Sequence, residues 1–134
     1  MSGSFWKQYL ATFVTFLVVD VFWLTLIAPR FYQAQIGFLM ASRPKLAAAG
    51  VFYLLYVGGL VVFCVSPGVG QNGLGWAAWR GALFGLVAYG TYDLTNLAVL
   101  EGWPLLVTLV DLGWGIVLST VTTVAGVWLS RLWG

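Results

Sequence analysis

Long apolar runs, separated by short stretches of turn-forming residues, make up most of this chain. Crossing the hydrocarbon core of a bilayer takes about 20 apolar residues in a helix. Four runs reach that length, at residues 5–28, 46–66, 75–100 and 104–132. They are too long for the strands of a membrane barrel, and a helix satisfies its own backbone in lipid. The pattern predicts an all-α fold, with residues 1–134 forming one domain, a bundle of four transmembrane helices.

Residues that interrupt helices separate these runs. Pro29 is expected to end the first span, the stretch from Ser66 to Gly73 the second, and the turn before Pro104 the third. The first run is longer than the apolar core of a secretory signal, which has about 7–15 residues, and it contains Asp20. We therefore expect it to be a retained transmembrane helix.

The connection between the first two spans is longer than a tight turn. Its apolar side chains recur at helical spacing, which favours a short helix lying in the membrane interface. These side chains are Phe31, Tyr32, Ile36, Leu39 and Met40. An ordinary anchored loop fits the same residues, and both interpretations stay open.

Composition supports a membrane protein. Only 7% of the residues are charged and 61% are hydrophobic, whereas a soluble domain averages about 25% charged residues. Such a chain could not cover a water-facing surface with polar groups, so we expect an integral membrane protein whose first partner is the lipid bilayer. The net charge of +2 comes from few residues and indicates no nucleic-acid partner.

The absence of histidine and the single cysteine, Cys64, restrict the chemistry. One cysteine forms no disulfide within the chain. Without histidine we expect no conventional haem site, no His-rich zinc site and no Ser-His-Asp triad. No cofactor is evident, so any chemistry must rest on carboxylates, tyrosines, amides and the backbone.

The basic residues do not reveal an orientation. In a four-span bundle each side has three of them, Lys7, Arg80 and Arg131 against Arg30, Arg43 and Lys45. This tie gives no positive-inside bias. We favour a single orientation, but insertion in both orientations, and hence an antiparallel homodimer, fits the same tie.

A stripe of small residues lies on the third predicted span. Ala77, Gly81 and Gly85 recur every four residues. Small residues at this spacing let helix backbones approach closely. The stripe predicts a tight helix contact, either within the bundle or between protomers.

Three of the four acidic residues lie inside predicted spans. Asp93 and Asp111 are placed symmetrically about Gly102, nine residues to either side, and Asp20 lies nine residues before Pro29. At about 1.5 Å per residue, nine residues correspond to roughly 13 Å. Because the first and third connections lie on the same side of such a bundle, we expect all three carboxyl groups at one depth, toward the middle of the bilayer.

An aspartate near the bilayer centre costs about 2.5–3.5 kcal/mol on insertion scales, so these side chains are expected to face the interior. Trp23 follows Asp20, and Trp114 follows Asp111, at a spacing of three that places each pair on one helix face. Indole N–H groups can donate to carboxylates. The candidate proton- or substrate-binding residues are Asp20, Asp93, Asp111, Asn96, Trp23, Trp114, Tyr89, Tyr92 and Tyr32.

Three like charges in a low-dielectric interior cannot all stay ionised without compensation. Coupled carboxyl groups share protons or hold a cation, and Asp and Asn oxygens suit Mg²⁺, Ca²⁺ or Na⁺. A hard-cation site at Asp20, Asp93 and Asp111 is therefore one expectation, with Arg30 or Lys45 supplying part of the compensation. The alternative is structural, with the aspartates fixing helix register through hydrogen bonds.

Three motifs, YDLTNLA, GWP and DLGWG, together with DVFW in the first span, carry a family resemblance. Over nearly its whole length the chain resembles a family of small bacterial four-span membrane proteins of unknown function. The resemblance implies a bacterial inner-membrane location and a set of signature positions, Asp20, Trp23, Tyr32, Asp93, Asn96, Trp103, Pro104, Asp111, Trp114 and Gly115. It implies no reaction. Size and topology are also similar to small multidrug transporters, although those have one intramembrane acid and a shorter first loop.

Three functions fit these residues. The first, which we favour, is proton- or cation-linked transport of a small substrate, because intramembrane acids commonly mark such paths. The second is a membrane-embedded enzyme or binding protein for a lipid, isoprenoid, quinone or carotenoid, using acid–base or metal-assisted chemistry. The third is an accessory subunit of a larger membrane complex.

Overall fold

The computed structural model describes residues 2–133, which form helices and turns and contain no strand. The α-helices, in chain order, are α1 Ser2–Phe22, α2 Ala28–Ile36, α3 Leu46–Leu60, α4 Gly73–Val99 and α5 Leu105–Trp133. The predicted all-α class is therefore confirmed.

Three stretches of the described residues are helical, long and apolar enough to cross a membrane: Ser4–Leu39, Leu46–Val65 and Leu105–Trp133. The helix α4 has 27 residues, but Arg80, Asp93 and Asn96 interrupt its apolar character. Three of the four predicted spans thus have the helices they require. The fourth span, the four-helix count and the single domain stay predictions.

The first helical stretch differs from the prediction, because it does not end at Pro29. A π-helical turn, Trp23–Ile27, joins α1 to α2, and a 3₁₀ turn, Gly37–Leu39, follows. Proline lacks the N–H group that an α-helix would use there, and a change of helical hydrogen bonding just before it accommodates the loss. The short helix predicted for this connection is α2, although its place at the membrane interface is untested.

Glycine, rather than proline, ends the second helical stretch. Helical turns continue through Val61–Val65 and Gly68–Asn72, and the chain then changes direction at Gly73, whose φ is +86°. A positive φ carries no steric penalty for glycine. Gly102, with φ +81°, has the same role in the turn between α4 and α5.

The helix α5 lies at the centre of the fold. α4 makes the most extensive contact with it, and α1 packs against it as well. Lys7 Nζ lies 5.9 Å from the ring centroid of Trp133, so the start of α1 meets the end of α5. The two helices are therefore antiparallel, and the start of α1 lies at the same end of the bundle as the end of α5.

Large apolar side chains cover the outside of the molecule. Val14, Leu55, Val87 and Leu109, from four different helices, are each more than half exposed. The interior contains buried aspartates, threonines and serines as well as an apolar core. This distribution fits a surface solvated by lipid, and it confirms the general expectation of a membrane protein.

The small-residue stripe packs within the chain. A Cβ atom built on Gly81 would lie 2.8 Å from the carbonyl oxygen of Ser119, and one built on Gly85 would overlap the carbonyl oxygen of Gly115. Ala77, the third member, is fully buried. Of the two alternatives, contact within the bundle is the one observed, so this stripe gives no support to a protomer interface or to an accessory-subunit function.

We expect Gly85→Ala to lower the free energy of unfolding by about 1–3 kcal/mol, the usual cost of overpacking, because the added methyl group displaces the α5 backbone. Gly113→Ala is the matched control, since a Cβ there meets no atom within 4 Å. Thermal unfolding in detergent, followed by circular dichroism, measures the difference. Equal melting temperatures for the two variants would contradict the tight contact.

Candidate functional site

One cavity holds most of the candidate residues. Its volume of about 460 Å³ lies within the range typical of ligand sites, roughly 300–1,000 Å³. Its wall is formed by Asp20, Trp23, Leu24, Tyr32, Phe52, Tyr53, Ala88, Tyr89, Tyr92, Asp111 and Trp114. Aromatic rings and two carboxyl groups therefore dominate its chemistry.

Asp20 comes from α1 and is 6% exposed. Its Oδ2 accepts a hydrogen bond of 2.8 Å from the Tyr53 hydroxyl of α3. The indole of Trp114 also interacts with this carboxyl group, but its N–H lies outside hydrogen-bonding geometry and is buried without a partner among the described residues.

Asp111 comes from α5 and is 2% exposed. Its Oδ1 accepts a hydrogen bond from the Tyr32 hydroxyl of α2. Because helical structure continues through Pro29, Tyr32 reaches the cavity instead of remaining in a loop. Each cavity carboxyl group is thus held by one tyrosine from another helix, and a carboxylate has capacity for further hydrogen bonds.

Trp23 and Trp114 form a stacked pair in the cavity wall. Their ring centroids are 4.4 Å apart and their planes differ by 10°. Tyr32 packs edge-on against Trp23 at 6.3 Å. The pair presents a wide, flat aromatic surface close to both carboxyl groups.

Asp93 and Asn96 do not line the cavity. Asp93 is fully buried, and neither of its oxygens has a hydrogen-bond partner in the described part of the chain. It interacts with Asp111 across the contact between α4 and α5. Asn96 is half-buried. The structure therefore brings seven of the nine candidate residues to one cavity, with Asp93 beside Asp111 and outside the wall.

The predicted cation site receives no support from this geometry. Within residues 2–133, no group of three or more His, Cys, Asp or Glu side chains is placed to hold a metal ion. Asp20 and Asp111 lie on the cavity wall, whereas Asp93 lies outside it. The cation site at these three residues therefore stays a prediction.

The lining residues include acids but no base. Arg30 and Lys45, which were expected to compensate the acids, are exposed and do not line the cavity. An ionised carboxylate in this wall would therefore attract a positively charged molecule or a proton.

The contribution of α3 was missed by the sequence analysis. Phe52 and Tyr53 line the cavity, and the Tyr56 hydroxyl bonds with Ser119 Oγ. A tyrosine inside an apolar span needs a partner for its hydroxyl group. The two tyrosines, three residues apart on α3, were the signal that this face of the helix points inward.

A family model described as "Predicted membrane protein (DUF2177)" matches residues 5–128. The match covers nearly the whole chain and includes every signature position, from Asp20 to Gly115. Comparison with curated proteins and with solved structures finds no match. The resemblance to a membrane family of unknown function is confirmed, and the chain belongs to the DUF2177 family of predicted membrane proteins.

Proposed function

We propose that the protein is a membrane carrier that binds a small amphipathic organic cation in the aromatic cavity and exchanges it for protons. One observation carries this proposal: two carboxyl groups, Asp20 and Asp111, stand in an aromatic wall that has no basic lining residue.

The wall offers two attractions for such a cation. A positive group over the face of a tryptophan or tyrosine gains about 2 kcal/mol where water is excluded, and the Trp23–Trp114 pair offers such faces. An ionised carboxylate adds Coulomb attraction. The remaining apolar wall, including Leu24 and Phe52, suits the body of the molecule.

Protons and the cation compete for the same carboxyl groups. A protonated carboxyl group no longer attracts a cation, so proton uptake favours release and cation binding favours proton loss. This competition is the simplest way in which two buried acids link substrate movement to a proton gradient.

The proposal requires α4 to cross the bilayer beside α5. At about 1.5 Å per residue its 27 residues extend about 40 Å, enough to span the hydrocarbon core. Lys7 and Trp133 meet at one end of the bundle, which calls for an even number of crossings. These observations support the four-span arrangement.

We expect Asp20→Asn and Asp111→Asn each to weaken binding of tetraphenylphosphonium, a cation with an aromatic body, by about tenfold, which corresponds to about 1.4 kcal/mol. Isothermal titration calorimetry on detergent-solubilised protein measures the affinity. Glu101→Gln is the matched control, because Glu101 is an exposed acid in the α4–α5 turn. Equal affinity in all four proteins would contradict the proposal.

The second function, a binding protein or enzyme for a hydrophobic molecule, is favoured by the predominantly apolar wall and by the two Tyr–Asp pairs, which could exchange protons with a substrate. Triphenylphosphine oxide, a neutral probe of similar shape, separates the two functions in the same titration. Neutral binding as tight as that of the cation, and insensitive to Asp20→Asn, would favour the second function.

A further inference from the structure

Beyond the cavity, buried polar side chains continue along the contact of α5 with α1 and α4. We call them the polar column, defined as Gln8, Thr12, Ser119, Thr122, Thr123 and Ser130. Four of them are fully buried, and Gln8 and Ser130 are 7% and 6% exposed. Apart from Ser119, which bonds with Tyr56, each has a buried polar atom without a hydrogen-bond partner among the described residues.

Four threonines outside the polar column behave differently. The hydroxyl groups of Thr15, Thr25, Thr91 and Thr120 each donate to the carbonyl group four residues earlier, at 2.6–2.9 Å. The buried threonines of the polar column make no such bond. Because buried polar groups in proteins are nearly always paired with protein or with ordered water, these free hydroxyl groups indicate internal water.

Glycines face the hydroxyl groups of the column. Thr12 Oγ1 lies 2.6 Å from the position that a Cβ on Gly126 would take, and Thr123 Oγ1 lies 2.6 Å from the corresponding position at Gly81. The hydroxyl groups therefore point into the helix contacts and pack against the facing glycines, whose missing side chains leave room for them.

The column connects the cavity with one end of the bundle. On the cavity side, the Tyr56 ring contacts the ring of Tyr89 at 6.1 Å, and Tyr89 lines the cavity. Ser130 lies 19 residues after Asp111 on α5. This spacing corresponds to about 28 Å along the helix, close to the thickness of the hydrocarbon core.

Two charged side chains near the outer end of the polar column contact groups outside the column. Lys7 lies over the Trp133 ring, and an Arg131 N–H group donates to the carbonyl oxygen of Gly68 at 2.9 Å. The column itself contains only hydroxyl groups and an amide, which can relay a proton without holding a charge.

We propose that the polar column, completed by internal water, carries protons between the acidic cavity and the end of the bundle where α1 begins and α5 ends. Each hydroxyl group or water accepts a proton from one neighbour and passes its own to the next, so no covalent bond to carbon changes. The inference rests on the proposed function and gives it a proton route and a side of entry.

Proton flux into lipid vesicles tests the column. Vesicles that contain the protein and a trapped pH-sensitive dye are given a potassium diffusion potential with valinomycin, and internal acidification is recorded. We expect Thr12→Val and Thr122→Val each to reduce the protein-dependent flux at least tenfold, because valine keeps the shape of threonine and removes the hydroxyl group.

Thr15→Val and Thr120→Val are matched controls on the same two helices, and both should retain wild-type flux. Wild-type flux equal to that of empty vesicles, or equal flux in all five proteins, would overturn the column. Tetraphenylphosphonium titration keeps the two proposals separate. If Thr12→Val and Thr122→Val lose proton flux but the protein binds no cation, the column is supported and the proposed substrate is wrong. If binding depends on the carboxylates but both variants keep wild-type flux, the binding site is supported and the column is wrong.

Discussion

Asp93→Asn is expected to abolish proton-linked transport while leaving the stability of the fold nearly unchanged. Proton transfer by a positioned side chain typically contributes about 10²–10⁴-fold to a rate, so we expect the loss to reach at least about a hundredfold. Asp93 does not line the cavity, so the same substitution should leave cation binding close to that of the wild type.

The surroundings of Asp93 explain why we expect transport to be lost while fold stability and cation binding are kept. A carboxyl group that fixed helix register would accept hydrogen bonds from hydroxyl or N–H groups of other helices, and neither buried oxygen of Asp93 does so among the described residues. Its interaction is with Asp111, which the Tyr32 hydroxyl holds at the cavity wall. Two neighbouring carboxyl groups can share one proton. Under the proposed function, we expect Asp93 to supply this proton to the site.

Uptake of the aromatic cation ethidium into vesicles under a pH gradient measures transport, and thermal unfolding in detergent measures stability. Glu101→Gln should match the wild type in both assays. A free energy of unfolding lowered by more than about 2 kcal/mol would identify Asp93 as a structural residue whose hydrogen bonds hold the fold. Full transport by a stable Asp93→Asn protein would remove Asp93 from the proton route.

Much of the helical architecture could be predicted from apolar run length. The bounds of α5 differ from the predicted 104–132 by one residue at each end, because a tight turn at Gly102 and a long apolar run leave little freedom. The first span was harder. Pro29 is a strong signal for a helix end, and only the neighbouring π-helical turn, which depends on the surrounding packing, lets helical structure continue to Leu39.

Part of the site could be predicted from the sequence because charged residues inside apolar runs are costly. Asp20 and Asp111 stood out for this reason, and helical spacing added Trp23 and Trp114. Spacing within one helix says nothing about which other helix lies opposite. Tyr53 of α3 therefore could not be assigned to Asp20 from the sequence, and Asp93 could not be separated from the cavity wall.

Trp114→Leu is expected to weaken binding of tetraphenylphosphonium by about 30-fold. The substitution removes one ring of the stacked pair with Trp23 and its cation–π attraction, worth about 2 kcal/mol in a desolvated site. Each 1.4 kcal/mol corresponds to about tenfold in affinity. Trp114→Phe keeps an aromatic face toward the cavity and should lose only a few-fold.

Trp79→Leu is the matched control, because Trp79 is 52% exposed and lies outside the cavity wall. Calorimetric titration of the four proteins gives the affinities, and the melting temperature shows whether each variant remains folded. Recovery with phenylalanine but not with leucine separates an aromatic contact with the cation from simple filling of space. If folded Trp114→Leu and Trp114→Phe proteins both bound as tightly as the wild type, the stacked pair would not be the surface that receives the cation.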